Sequence, residues 1–150
     1  MTVQTFGAQQ AANSDSAPDR PARSLWPAIR RGLLGKCPNC GEGRLFRAFV
    51  KTVDRCEHCG EDISHHRADD LPAYLVIVIV GHIVVSGFMA MELLTEWSSW
   101  QHLALWVPIT IMLSILLLQP VKGAVVGLQW ALFMHGFGGA KEALETHPEA

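Results

Sequence analysis

Hydrophobic and polar positions are segregated along this chain rather than interleaved. The first seventy residues are mostly polar and the next seventy mostly apolar, the pattern of a small head on a membrane-embedded tail rather than of one mixed core. Residues 71–91 hold no Asp, Glu, Lys or Arg, and as a helix these twenty-one residues rise about 31 Å, the thickness of a hydrocarbon layer. Just before them, Asp69-Asp70-Leu71-Pro72-Ala73-Tyr74 supplies a proline suited to a first turn and two carboxylates. Asp69 or Asp70 is expected to cap the orphan N–H groups and face the positive end of the helix dipole. A first transmembrane helix is predicted over 71–94.

A short polar connection with Glu92, Glu96, Trp97, Trp100 and His102 follows and carries no Lys or Arg. The next apolar run, 103–119, reaches about 30 Å if its helix begins at Trp100, which predicts a second span over 100–119. Pro120 and Lys122 interrupt the run, and a separate helix is predicted over 121–135, either interfacial or packed on the hairpin. Gly123, Gly127 and Ala131 recur every four residues there, a stripe of small side chains that lets another helix approach closely. Residues 136–150 read as a loose tail.

Upstream, residues 1–23 have too few large apolar side chains to offset the entropy of ordering, so a disordered tail is expected. They show no basic stretch leading into an apolar one, as a secretion signal would. In 24–36, Ser24 can cap a helix whose Leu25, Trp26, Ile29 and Leu33 recur at helical spacing, with Gly35 ending it. Two readings stand for this segment. It is an in-plane interfacial helix, with Trp26 at headgroup level and Arg30 and Arg31 on lipid phosphates, or its apolar face packs on the head.

The head, residues 37–67, contains all four cysteines, as Cys37-Pro38-Asn39-Cys40-Gly41 and Cys56-Glu57-His58-Cys59-Gly60, with fifteen residues between the pairs. That spacing predicts a tetrahedral four-thiolate site holding Zn2+, with iron the alternative ion, and disulfides or a redox dithiol the competing chemistries. A glycine after each pair fits a knuckle turn that needs positive φ. About thirty residues cannot bury a sufficient core alone, so metal binding is expected to supply most of the head's folding free energy. Leu45, Phe46, Phe49, Val50 and Val53 are its expected apolar payload. His65 and His66, together with Asp69 and Asp70, form a second possible metal grouping.

Charge narrows the function. The net charge is -2, yet ten of the twelve Lys and Arg precede residue 71, none lies between the two predicted spans, and two follow. By the positive-inside rule both termini face the cytoplasm, where reducing conditions favour metal over disulfide. From 24 to 67 eight cationic side chains face five carboxylates. Four thiolates around zinc cancel most of that excess, a poor footprint for nucleic acid. His82 lies near the middle of the first span, a candidate for haem, metal or proton traffic unless its imidazole simply bonds a backbone carbonyl or Thr110 or Ser114. No nucleophile triad, phosphate loop or open metal position is recognisable, so a non-enzyme is expected.

Several of these motifs recur together in one known group. Arg31-Gly32-Leu33, the two knuckles, Leu45-Phe46, Ala68-Asp69-Asp70, Pro72-Ala73-Tyr74, Gly81-His82, Pro120-Val121-Lys122-Gly123 and Gln129-Trp130 resemble, in order, the small bacterial membrane proteins of domain of unknown function 983. Leu71 stands where that family commonly has glycine. The resemblance implies a membrane α architecture: a cytoplasmic zinc-ribbon head, a two-helix transmembrane hairpin and a C-terminal interfacial or packed helix, with no assigned activity. Similar proteins are often encoded beside cytochrome oxidase subunits and assembly factors in alphaproteobacteria. That implies a role as an assembly or interaction factor with a protein partner in a membrane complex. A membrane-anchored metal or electron carrier is the alternative.

Overall fold

The computed structural model describes residues 22–66 and 70–137. Among the described residues three helices form, α1 (Leu25–Leu33), α2 (Leu71–Leu94) and α3 (Ser99–Ala131), with an irregular lobe between α1 and α2. The expectations placed on residues 1–21, on Asp69 and on residues 138–150 lie outside the described residues.

Two of the predicted caps are not made. Ser24 has the extended backbone of a cap but no side-chain bond. The third helical residue after it is Pro27, which has no N–H to donate. Asp70 also makes no side-chain cap bond, because its φ of -94° and ψ of -35° already place it in the helical region. Its carbonyl accepts from Tyr74 N–H at 3.1 Å instead. α2 closes at Thr95, whose N–H and hydroxyl both donate to the Met91 carbonyl at 2.9 Å. After three more residues α3 starts, with the Gln101 side-chain oxygen accepting from the Ser98 N–H at 2.8 Å and from its hydroxyl at 2.9 Å.

The separation into helices over 100–119 and 121–135 is corrected: α3 runs unbroken for 33 residues through Pro108 and Pro120, about 50 Å. A proline inside a helix forfeits one backbone bond and costs about 3 kcal/mol in isolation. Here the turns beyond Pro120 are held from outside, since Gly123, Val125, Val126, Gly127, Gln129, Trp130 and Ala131 are all buried.

What buries them settles how α1 sits. A Cβ built on Gly32 would overlap the Gly123 carbonyl, and one on Gly127 would overlap that of Ala28. The small-residue stripe of α3 is therefore the seat of α1, which approaches backbone to backbone through Ala28 and Gly32. Larger apolar residues of α1 stay outside, with Trp26 72% and Leu34, just past its end, 64% exposed. α2 packs on the first half of α3, with the Trp106 ring against Gly87 and Phe88 edge-on to His102 at 5.0 Å between ring centres. α2 and α3 are each long and apolar enough to cross a membrane, and Ile77, Val85, Met112 and Leu116 point away from the chain's interior. That surface fits association with a bilayer.

Candidate metal centre

Each cysteine pair is held by a turn of the same construction. Gly41 N–H donates to the Cys37 carbonyl and Gly60 N–H to the Cys56 carbonyl, both at 2.9 Å, and the two glycines have φ of +77° and +73°. That is the positive-φ role expected of them. Behind the turns, Cys37 N–H bonds the Gly43 carbonyl at 2.8 Å and Cys56 N–H the Glu61 carbonyl at 2.9 Å. Among the described residues strand-type pairing is confined to isolated bridges, Lys36 with Arg44, Phe46 with Thr52 and Arg55 with Asp62.

The turns bring the four sulfurs within 4.8 Å of one another. Cys37 Sγ lies 3.7 Å from Cys59 Sγ, and Cys40 Sγ 3.9 Å from Cys56 Sγ. A tetrahedron of thiolates around an ion at about 2.3 Å has edges of about 3.8 Å. The donor set thus fits one four-coordinate ion, and zinc and iron fit equally by geometry. Gly43 is part of the cage, since a Cβ there would run into Cys56 Sγ.

The thiols are not equivalent. Burial pushes Cys37 well above the ordinary thiol range, only partly countered by backbone N–H groups of Cys40 and Asn39, and burial likewise raises Cys59. For Cys40 burial is outweighed by the Gly43 and Glu42 N–H groups, each 3.5 Å from its sulfur, and by the Cys59 and Cys56 thiols, so its pKa falls to about 6. A central cation would hold all four as thiolates.

Under the cluster lies a small core. Cys37, Leu45, Cys56 and Ile63 of the lobe are buried together with Val125 and Val126 of α3. Of the expected payload, Phe46 and Val53 flank this core, whereas Phe49 is exposed. The fully buried Ile63 was not foreseen; a lone isoleucine beyond the second knuckle carries no periodic signal.

Residues 46–130 match the family described as "Protein of unknown function (DUF983)". The chain belongs to the DUF983 family. The match takes in the second knuckle, α2 and α3 as far as Trp130 and begins after Cys40, so the first knuckle lies outside it. No curated protein and no solved structure matches the chain.

In this DUF983 chain Arg31 does not reach outward. Its guanidinium donates to the Pro38 carbonyl at 3.0 Å and the Asn39 carbonyl at 2.6 Å, bracing the first knuckle, which corrects its expected place on lipid phosphate. Arg30, one residue earlier, is exposed. A second brace was missed. Glu61 accepts from Trp130 Nε1 at 2.8 Å and Asn39 Nδ2 at 3.0 Å, and pairs with Arg23 at 3.5 Å. Arg23 also donates to the Trp130 carbonyl at 2.8 Å and stacks 4.1 Å from that indole's centre. Trp130 is thus buried in the joint, and Arg23, assigned to the disordered tail, is ordered by it.

Several histidines take local partners. His66 Nδ1 is 2.7 Å from the Ile63 carbonyl and Nε2 3.0 Å from Thr52 Oγ1, so both ring nitrogens are engaged. His65 lies edge-on to Phe137 and 3.9 Å from Asp62. His82 Nδ1 is 2.7 Å from the Val78 carbonyl of its own helix, while Thr110 and Ser114 bond carbonyls within α3. At the far end of α2 and α3, the buried His102 comes within 3.1 Å of Glu92. Among the described residues the four cysteines are the one group of three or more metal-ligating side chains, and His82 and Asp70 belong to none.

Proposed function

We propose that this chain is an integral protein of the bacterial inner membrane whose zinc-held cytoplasmic head, carried on a transmembrane hairpin, serves as a non-enzymatic assembly or interaction factor. The observation that carries this reading is the joint between head and helix. Val125 and Val126 share one core with Cys37 and Cys56, so the lobe is built onto α3 rather than tethered to it. α3 exceeds a hydrocarbon thickness of about 30 Å by roughly thirteen residues, and those residues carry α1 and the head. Four thiolates leave no open coordination position, which suits support rather than catalysis. The basic residues clustered before α2 support a cytoplasmic head and cytoplasmic termini. A respiratory cytochrome oxidase is the partner we propose, and the gene neighbourhoods of similar proteins are its support. Mild detergent extraction from native membranes followed by mass spectrometry is expected to recover an oxidase subunit with the chain. Repeated recovery of the chain alone would overturn the partnership.

One observation favours a second reading, a membrane-anchored metal or electron carrier: Cys59 is exposed, leaving one edge of the cluster open to exchange. Iron in the purified chain would support it, and a colourless preparation with one zinc per chain would remove it.

A further inference from the structure

Where α2 ends and α3 begins, the hairpin holds a pocket of about 500 Å³ whose lining includes Phe88, Glu92, Trp97, His102, Leu103 and Trp106. Its depth follows from the contacts between the two helices. The uncharged residues 71–91 take up about 31 Å of hydrocarbon, so Glu92 stands at the boundary of that layer. His102 is level with it, the two side chains lying 3.1 Å apart. Five residues back along α2 and four residues on along α3, Gly87 meets the Trp106 ring. Phe88, Leu103 and Trp106 therefore line the hydrocarbon side of the pocket, and Glu92 stands at its headgroup rim. Leu103 is 51% exposed, so this apolar side is open to the bilayer.

The chain leaves the polar groups of this pocket unfinished. His102 is 6% exposed, and neither of its ring nitrogens has a hydrogen-bond partner among the described residues, because Glu92 Oε2 lies near Nε2 but out of line for a bond. The Glu92 side chain is 55% exposed and accepts no hydrogen bond among the described residues. No Lys or Arg occurs from residue 71 as far as Lys122 to pair with it. A carboxylate at that level, beside the negative end of α2 and the rings of Phe88 and Trp97, selects a cation.

We infer that this pocket binds phosphatidylethanolamine, its ammonium group donating to the Glu92 carboxylate and its acyl chains running along Phe88, Leu103 and Trp106. Charge complementarity selects the occupant. A primary ammonium brings N–H donors to the carboxylate, a quaternary one brings none, and an anionic headgroup would set its phosphate against Glu92 with no cation nearby to offset it. A soluble amine would leave the apolar side of the pocket uncovered, whereas a lipid carries its own hydrocarbon to it. The inference rests on the membrane reading above and adds a defined lipid site to it, at the end of the hairpin that the head does not occupy.

The test titrates the detergent-solubilised full chain with phosphatidylethanolamine, phosphatidylcholine and phosphatidylglycerol, reading bound lipid by native mass spectrometry. Phosphatidylethanolamine is expected to bind most tightly. Glu92→Gln keeps the shape of the side chain and removes its charge; it should weaken phosphatidylethanolamine about tenfold, the loss of one charge-assisted hydrogen bond, and leave phosphatidylglycerol bound no more weakly than by the parent. Trp97→Leu should weaken phosphatidylethanolamine about threefold through the lost cation–π contact. Equal binding of the three lipids, or phosphatidylethanolamine binding untouched by Glu92→Gln, would overturn the site. Displacement of the lipid by free ethanolamine at the same concentration would overturn the lipid as its occupant. A chain stripped from native membranes by alkaline carbonate would instead overturn the membrane reading on which the site rests.

Discussion

The backbone-to-backbone seat of α1 on α3 makes a sharp prediction for Gly32→Ala. In a helix interior alanine is favoured over glycine by about 1 kcal/mol, so by propensity alone the change stabilises α1. The new methyl, however, would stand 2.7 Å from the Gly123 carbonyl carbon and closer still to its oxygen, both backbone atoms that cannot rotate away. Ordinary contact begins near 3.5 Å, so the helices must part by roughly 1 Å, and a gap of that size forfeits up to half of each dispersion contact along the seam. Overpacking costs about 1–3 kcal/mol, and against rigid backbone atoms the upper part of that range, about 2–3 kcal/mol, applies, which outweighs the propensity gain and leaves a net loss of about 1–2 kcal/mol. Amide hydrogen exchange of the chain in detergent micelles reads this directly. α1 should exchange roughly five- to thirtyfold faster, at tenfold per 1.4 kcal/mol. Gly81→Ala is the control, because no atom lies within 4 Å of a Cβ built there. It should leave exchange unchanged or slow it in α2. Unchanged α1 exchange in Gly32→Ala would refute the close crossing.

Three further outcomes follow from the head. Gly43→Ala places a methyl against Cys56 Sγ and should lower metal affinity about ten- to hundredfold in a chelator competition, with the cysteines untouched. Trp130→Phe keeps the ring over which Arg23 stacks but removes the indole donor to the Glu61 carboxylate; a loss of about 2 kcal/mol is expected as faster exchange in the lobe. The Asp62 carboxyl is held below the usual carboxylate range by the Ser64 hydroxyl and N–H. Its stabilising contribution is therefore complete above the unfolded pKa near 4 and lost as pH falls through the lower folded value. Ser64→Ala should move the Asp62 titration back upward by NMR.

Much of this was legible because it is local. Knuckle spacing, the following glycines and the uncharged run after Asp70 act over a few residues, and they fix the four-cysteine cluster and α2. The stripe of Gly123, Gly127 and Ala131 announced a close helix neighbour, although not that α1 would supply it, since Ala28 and Gly32 sit among larger apolar residues that dominate the periodicity. Pro120 misleads for a related reason: its local penalty is visible in the sequence, while the offsetting burial of residues 123–131 comes from segments about ninety residues away. Caps at Ser24 and Asp70 failed on backbone detail, a proline lacking the needed N–H in one case and an already helical residue in the other. The Arg23, Glu61 and Trp130 brace joins three segments with no shared pattern, and only folding brings them together.

The central claim, a head held by one ion in four thiolates and built onto a membrane helix, is tested most directly by metal analysis of the full chain purified from native membranes, combined with thiol alkylation. One zinc per chain is predicted, with Cys37, Cys40, Cys56 and Cys59 protected from alkylation until a chelator removes the metal. A freshly purified chain with no bound metal and four freely alkylated cysteines would contradict it.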